Sequence, residues 1–90
     1  MTVDPVVVEA REAIDAIDNS LVVSLNRRLE LVRKLHEHKR TTGMPMRDPA
    51  REEAMVARLQ DENGGPLSDD GVAALVNFVL GLTREELYGD

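Results

Sequence analysis

Arg11, Arg28, Lys39, Asp48, Arg51 and Glu52 stand out because their types and spacing suit the holding of a small anion. Arginine clamps a carboxylate with two parallel hydrogen bonds, and lysine adds a compact point charge. The chain as a whole is acidic, with 11 Lys+Arg against 17 Asp+Glu and a formal charge of −6. The stretch from Arg27 to Arg51 runs the other way. Arg27, Arg28, Arg33, Lys34, Lys39, Arg40, Arg47 and Arg51 are set against Glu30, Glu37 and Asp48, so this stretch is +5 and the remainder −11. A cationic middle in an anionic chain suits a small anionic ligand. Any one of these arginines taken alone reads as a solvated surface charge.

Three helices must position these residues. The first starts with Asp4 as N-cap and Pro5 at the first helical position, and no Gly or Pro interrupts it before Thr41. Ile14, Ile17, Leu21, Leu25, Leu31, Val32 and Leu35 form its apolar stripe. Thr41, Thr42, Gly43 and Pro45 stop it. The second helix opens at Asp48-Pro49, turns Met55, Val56 and Leu59 inward, and ends at Asn63-Gly64-Gly65-Pro66. The third opens on Ser68, with Asp69 and Asp70 set favourably against the helix dipole, and carries Val72, Leu75, Val76, Val79, Leu80 and Leu82. The expected helices are 5–41, 49–62 and 69–87. No segment alternates with period two, so the fold class is all-α, with a core of Leu, Val, Ile, Ala and Met.

Ninety residues make a single small domain, 1–90. A first helix of about 36 residues is ~54 Å long, whereas a compact chain of this size has a radius of gyration of roughly 12 Å. The apolar stripe of that helix therefore calls for a second chain, and an intertwined helical homodimer is the simplest arrangement. There is no cysteine, so disulfides, thiolate nucleophiles and zinc–thiolate sites are excluded. Met1-Thr2-Val3-Asp4-Pro5 lacks the pattern of a signal peptide, and no apolar run has membrane-spanning length, so the expected location is cytoplasmic. The acidic balance and the scarcity of aromatics, Phe78 and Tyr88 alone, argue against nucleic acid as partner.

Helical geometry sorts the bases. Arg28 and Lys39 are eleven residues apart, close to three turns, so they share a face at about 16 Å along the axis. Arg28 continues the register of Ile14, Ile17 and Leu21, where an arginine is costly unless paired. Arg11 lies 17 residues before Arg28, about 25 Å away and roughly 100° round the helix. The two cannot meet on one ligand within one chain, but Arg11 of one protomer can reach the Arg28 pocket of the other in an antiparallel dimer. At the start of the second helix the unpaired N–H groups, Arg51 and the acceptor Glu52 offer further contacts, although a plain capping role for Asp48 explains the same residues.

The remaining candidates are weaker. His36 and His38, two apart on a helix, point to different sides and make a poor metal pair. Ser20, Ser24 and Ser68 have no legible triad partners. Gly64-Gly65 terminates a helix and is no phosphate loop, and Met44 and Met46 read as packing or loop residues. No general base, nucleophile or metal-ligand set stands out, which fits chemistry by positioning and electrostatics.

The ordered set resembles the AroQ class of chorismate mutases across essentially the whole chain. Its pieces are Arg11-Glu12-Ala13-Ile14 with Ile17-Asp18, then Leu25-Asn26-Arg27-Arg28-Leu29-Glu30-Leu31, then Lys39, then Arg47-Asp48-Pro49-Ala50-Arg51-Glu52-Glu53, then the Asn63-Gly64-Gly65-Pro66 loop. The resemblance implies an all-helical intertwined homodimer. It implies that Arg28 and the other protomer's Arg11 bind two substrate carboxylates and that Lys39 binds the ether oxygen and helps with a carboxylate. Arg51 and the Asp48 region would orient the ligand, and Glu52 would accept from the ring hydroxyl. Thr83 falls where the family has a Ser near a carboxylate. One turn later the family's common members carry a Gln, and this chain has Leu87 beside Glu86. The ending from Leu80 to Gly89 is similar to that of small actinobacterial-type members, which gain activity in complex with the first enzyme of the shikimate pathway.

The implied reaction, chorismate to prephenate, is pericyclic: no proton need move, and the expectation that no cofactor is needed rests on that reaction. The protein must hold the dicarboxylate in a compact conformer and stabilise charge growing on the ether oxygen. Even ~10⁶-fold acceleration needs ~8 kcal/mol, more than one cation supplies, so conformer selection by Arg11 and Arg28 carries much of it. Leu87 keeps 4-amino-4-deoxychorismate open as substrate, and also a weakly active or non-catalytic partner module of a shikimate-pathway enzyme. A lyase acting on isochorismate fits the Arg47-Asp48 and Arg51-Glu52 segment less well.

Overall fold

The computed structural model describes residues 3–45 and 47–89 of the chain. The expectations resting on Met1, Thr2 and Met46 lie outside the described residues. Three helices, α1 (Pro5–Thr42), α2 (Pro49–Glu62) and α3 (Asp69–Tyr88), follow one another, and no strand occurs among the described residues. The fold is all-α.

Each helix boundary has a local chemical cause. At the start of α1, the Asp4 carboxylate accepts from the Val6 N–H at 2.9 Å, and the Asp4 carbonyl accepts from the Val8 N–H at 3.1 Å. At its end the Thr41 and Thr42 hydroxyls donate back to the His38 carbonyl at 2.7 and 3.1 Å. Gly43 then takes φ 73, and the Met44 N–H closes on the Lys39 carbonyl at 3.0 Å. Lys39 and Arg40 in this last turn oppose the negative end of the helix dipole.

Asp48 caps α2: its carboxylate accepts from the Arg51 N–H at 3.1 Å, and Pro49 occupies the first helical position. Removing this acceptor by Asp48→Ala is expected to lower stability by about 0.5–2 kcal/mol, read as a fall in the urea midpoint at constant slope. An unchanged midpoint would mean that the cap bond is not held in solution. On α3 the Ser68 hydroxyl accepts from the Gly71 N–H at 3.0 Å, with Asp69 and Asp70 in the first turn. The Leu67 side chain packs against Gly71, where a Cβ would sit 2.7 Å from Leu67 Cδ1 and oblige that side chain to shift.

The chain divides into two compact units, Met1–Lys34 and Leu35–Asp90. From Pro5 onward the first is part of α1 and nothing else. No described residue of α1 is buried, and Ile14, Ile17 and Leu21 are 54%, 60% and 61% exposed. Ala16, Ser20 and Ser24, flanked by Ile17 and Leu21, line a shallow groove along this unit.

In the second unit α2 packs on α3. The Gln60 side-chain amide donates to the Asp69 carbonyl at 3.0 Å, tying the last turn of α2 to the first of α3. Asn63 organises the connector three times over. Its N–H donates to the Leu59 carbonyl at 3.0 Å, its side-chain amide donates to the Leu67 carbonyl at 2.6 Å, and its side-chain oxygen accepts from the Gly65 N–H at 3.1 Å. Among the described residues the buried core of the single chain is small. It consists of Val72 and Val76, with Thr83 in the same α3 stripe. The reason is geometric: α2 covers one face of α3, and Leu75 and Phe78 on the other faces stay exposed.

Candidate active site

The eight sequence-selected residues are divided between the two units. The first carries Arg11, exposed, and Arg28, half-buried, both on α1. The second carries Lys39 in the last turn of α1, Asp48, Arg51 and Glu52 at the opening of α2, and Thr83 and Leu87 on α3. Lys39 and Leu87 are half-buried, and Arg51 is exposed. Within the second unit α2 supplies the densest cluster. Asp48 commits its carboxylate to the Arg51 N–H, which fixes the backbone on which the Arg51 and Glu52 side chains are mounted.

Glu52 is half-buried, and its carboxylate lies 3.5 Å from the Arg47 guanidinium. With the Arg47 side chain 66% exposed, this pair is worth little as stability, on the order of 0–1 kcal/mol. Its consequence is positional: the carboxylate is oriented, with lone pairs left to accept from a ligand hydroxyl. Arg47 and Glu52 share a groove with Pro49, Glu53 and Val56 of the α2 segment and Asn77, Leu80 and Arg84 of α3. The spacing 77, 80, 84 is one helical face, and that face looks onto the α2 opening.

Thr83 is buried, and its hydroxyl donates to the Val79 carbonyl at 2.7 Å. A carboxylate placed beside it would have to compete for that proton. At the end of α3 the Tyr88 ring stacks on His36 of α1, with centroids 5.2 Å apart and an interplanar angle of 26°. The Tyr88 hydroxyl lies 3.1 Å from His36 Nε2. Burial, together with the nearby Lys39 and Arg40 charges, lowers the His36 pKa below the ordinary histidine value. Among the described residues no group of three or more His, Cys, Asp or Glu gathers to hold a metal ion. Nor is any described helix long and apolar enough to cross a membrane.

The comparison that decides the family is one of sequence over nearly the whole chain. The sequence model described as chorismate mutase type II matches residues 10–87, a span that begins just before Arg11 and ends at Leu87. The chain belongs to the chorismate mutase type II family. The solved chorismate mutase of Thermus thermophilus agrees in fold. Its form I gives a TM-score of 0.82 at 28% identity, covering 86% of this chain and 96% of that one. Form II gives 0.83 at 28% identity, covering 88% and 90%. Among curated proteins, the bifunctional chorismate mutase/prephenate dehydratase of Neisseria gonorrhoeae is 40% identical over 79 residues. That match takes in 88% of this chain and 21% of the relative, so the chain spans about a fifth of the relative's length. Chorismate mutases are isomerases, and the chain is a chorismate mutase domain by family.

Three features of this chorismate mutase domain escaped the sequence reading. Arg47 stood inside the quoted motif, and only its 3.5 Å approach marks it as the partner of Glu52. Asn77 and Arg84 carried a signal, their seven-residue spacing on α3, that becomes legible once the α2-facing side is known. The His36–Tyr88 pair joins residues 52 apart, and no local pattern announces it.

Proposed function

We propose that the chain rearranges chorismate to prephenate as a homodimer in the cytoplasm. The observation that carries this reading is the family match over residues 10–87, which encloses every candidate residue from Arg11 to Leu87. Arg28 of one protomer and Arg11 of the other bind the two carboxylates and hold the substrate in its compact, reactive conformer. Lys39 stabilises the negative charge that grows on the ether oxygen as the C–O bond breaks. Arg51 and the capped Asp48 turn orient the ligand, and Glu52, held by Arg47, accepts from the ring hydroxyl. Thr83 lies near a carboxylate, and Leu87 lines the site where common members carry a Gln. The reaction is unimolecular, and its electrons move within the substrate, so none of these residues needs to exchange a proton.

The dimer is supported by the exposed stripe of Ile14, Ile17 and Leu21. Apolar side chains in such a row are left in water only where a partner covers them. Ala16, Ser20 and Ser24 beside the stripe allow the close approach of a second helix.

Leu87 favours one second reading. A leucine cannot donate to the ether oxygen, so the chain turns over slowly alone and relies on a shikimate-pathway enzyme, or it prefers 4-amino-4-deoxychorismate. The curated relative joins a mutase to a second activity in one chain, which is in keeping with a partner module here.

Loss of chorismate absorbance with the purified protein, beside an Arg28→Ala control, is the test. Rapid loss in the parent and a fall of at least ~10²-fold in kcat/KM in the control are expected. Equal rates for the two proteins would remove Arg28 from the site. No loss in either, with or without a pathway enzyme and with the 4-amino analogue, would overturn the reading.

A further inference from the structure

The last turn of α3 meets the last part of α1 through His36 and Tyr88, neither of which the proposed chemistry uses. The contact has two components. The rings stack at 5.2 Å with 26° between their planes, and the Tyr88 hydroxyl and His36 Nε2 are hydrogen-bonded at 3.1 Å. His36 sits one helical turn before Lys39, on the same side of α1. Tyr88 immediately follows Leu87 and lies five residues, somewhat over one turn, after Thr83. The pair therefore bridges two places from which the proposed site draws its side chains. Lys39 carries a long, flexible side chain with much rotamer freedom to lose. Fixing the backbone beneath it matters correspondingly.

We propose that His36 and Tyr88 form a clamp that positions Lys39 by holding the Leu87–Tyr88 turn of α3 against the Lys39 turn of α1. The clamp is a positioning device for the rearrangement assigned above and rests on that reading. It is also asymmetric in protonation. His36 Nδ1 is buried and has no hydrogen-bond partner. If the neutral ring carries its proton on Nδ1, Nε2 accepts from the Tyr88 hydroxyl, and protonation removes that acceptor. If the proton is on Nε2, protonation adds a buried N–H on Nδ1 with nothing to receive it. In both cases the cationic ring lies beside Lys39 and Arg40 of α1, and the group set against it from α3 is the uncharged Tyr88 phenol. Burial and those two cations depress the His36 pKa in the folded chain. The stabilisation is therefore fully present above the ordinary histidine value of 6.5 and is lost as pH falls below it through the depressed one.

Two measurements on the 90-residue chain test the clamp. The first is the NMR titration of His36 in the parent and in Tyr88→Leu. A parent midpoint below 6.5 that moves up in Tyr88→Leu is expected, whereas an ordinary midpoint unmoved by the substitution overturns the contact. The second is the pH profile of kcat and KM for the parent and Tyr88→Phe, which keeps the stack and loses the hydroxyl. At neutral pH Tyr88→Phe should lower kcat by about tenfold with KM little changed, as expected for a misplaced catalytic group. The parent kcat should fall on the acid side along the His36 titration, and that limb should move in Tyr88→Phe. A kcat and acid limb identical in the two proteins overturn the positioning role, even where the titration supports the contact. A parent with no turnover overturns the rearrangement reading and the clamp's role in it, while the titration still decides whether the contact exists.

Discussion

Replacing Lys39 by alanine is expected to lower kcat by about 10²–10³-fold while KM changes by no more than roughly threefold. The asymmetry follows from when the charge appears. In bound chorismate the ether oxygen is a weak acceptor, and as its C–O bond lengthens it gathers negative charge. A cation beside it gains more from the transition state than from the ground state, and that difference alone raises kcat. Lys39 is half-buried in the last turn of α1, where water screens its charge less than at the surface. The proposed carboxylate clamps, Arg11 and Arg28, differ: they grip the substrate from the ground state onward as well as selecting its reactive conformer, so their loss is expected in KM as well as in kcat. Steady-state kinetics of the Lys39→Ala protein separate these cases. A variant with unchanged kcat and a raised KM would make Lys39 a carboxylate ligand and leave the ether oxygen without its cation.

The second large effect is expected from a charge on the bare face of α1. Leu21→Asp should convert the dimer to monomer at micromolar concentration and cut kcat/KM by more than about 10²-fold. Leu21 is 61% exposed and Ile17 60%, and both line the small-residue groove with Ala16, Ser20 and Ser24. Each aliphatic side chain fully covered on association is worth about 1.5–3 kcal/mol. An aspartate there forfeits that and adds a buried, unpaired carboxylate, which costs several kcal/mol more. In the proposed dimer Arg11 of one protomer serves the pocket of the other, so catalysis is expected to fall with association. Light scattering after gel filtration, read beside the mutase assay, is the check. A Leu21→Asp protein that remains dimeric would mean that another surface joins the protomers. A fully active monomer would mean that Arg11 of the other protomer is dispensable.

The parts legible in the sequence were those whose cause is local. Asp4-Pro5, Asp48-Pro49 and Ser68 announce helix starts because a capping side chain bonds a backbone N–H two or three residues on, and all three do so. Gly43 announces a stop because the chain turns there through positive φ. The family set was legible for another reason: its members sit at fixed separations along helices, and spacing survives in a linear string. Contacts between elements were not legible. Arg47 with Glu52 depends on how the chain enters α2, and the groove of Asn77 and Arg84 depends on which face of α3 meets α2. His36, set aside as half of a poor metal pair, is committed to Tyr88 through a contact that only folding creates. A hydrophobic pattern says which residues seek cover, and it does not say whether their own chain provides it.

Asn63 makes the connector between α2 and α3 a part of fixed length. Its backbone closes α2 on Leu59, and its side chain reaches forward both to Gly65 and to Leu67. These three bonds measure out the distance from the last turn of α2 to the residue before the Ser68 cap. An extra residue between Asn63 and Leu67 would stretch at least one bond past its working range. A slip of one position in α3 would also rotate Val72 and Val76 by about 100° away from α2. Surface loops ordinarily absorb changes in chain length at little cost. Here the connector acts as a ruler, and drift in its length is paid in helix register.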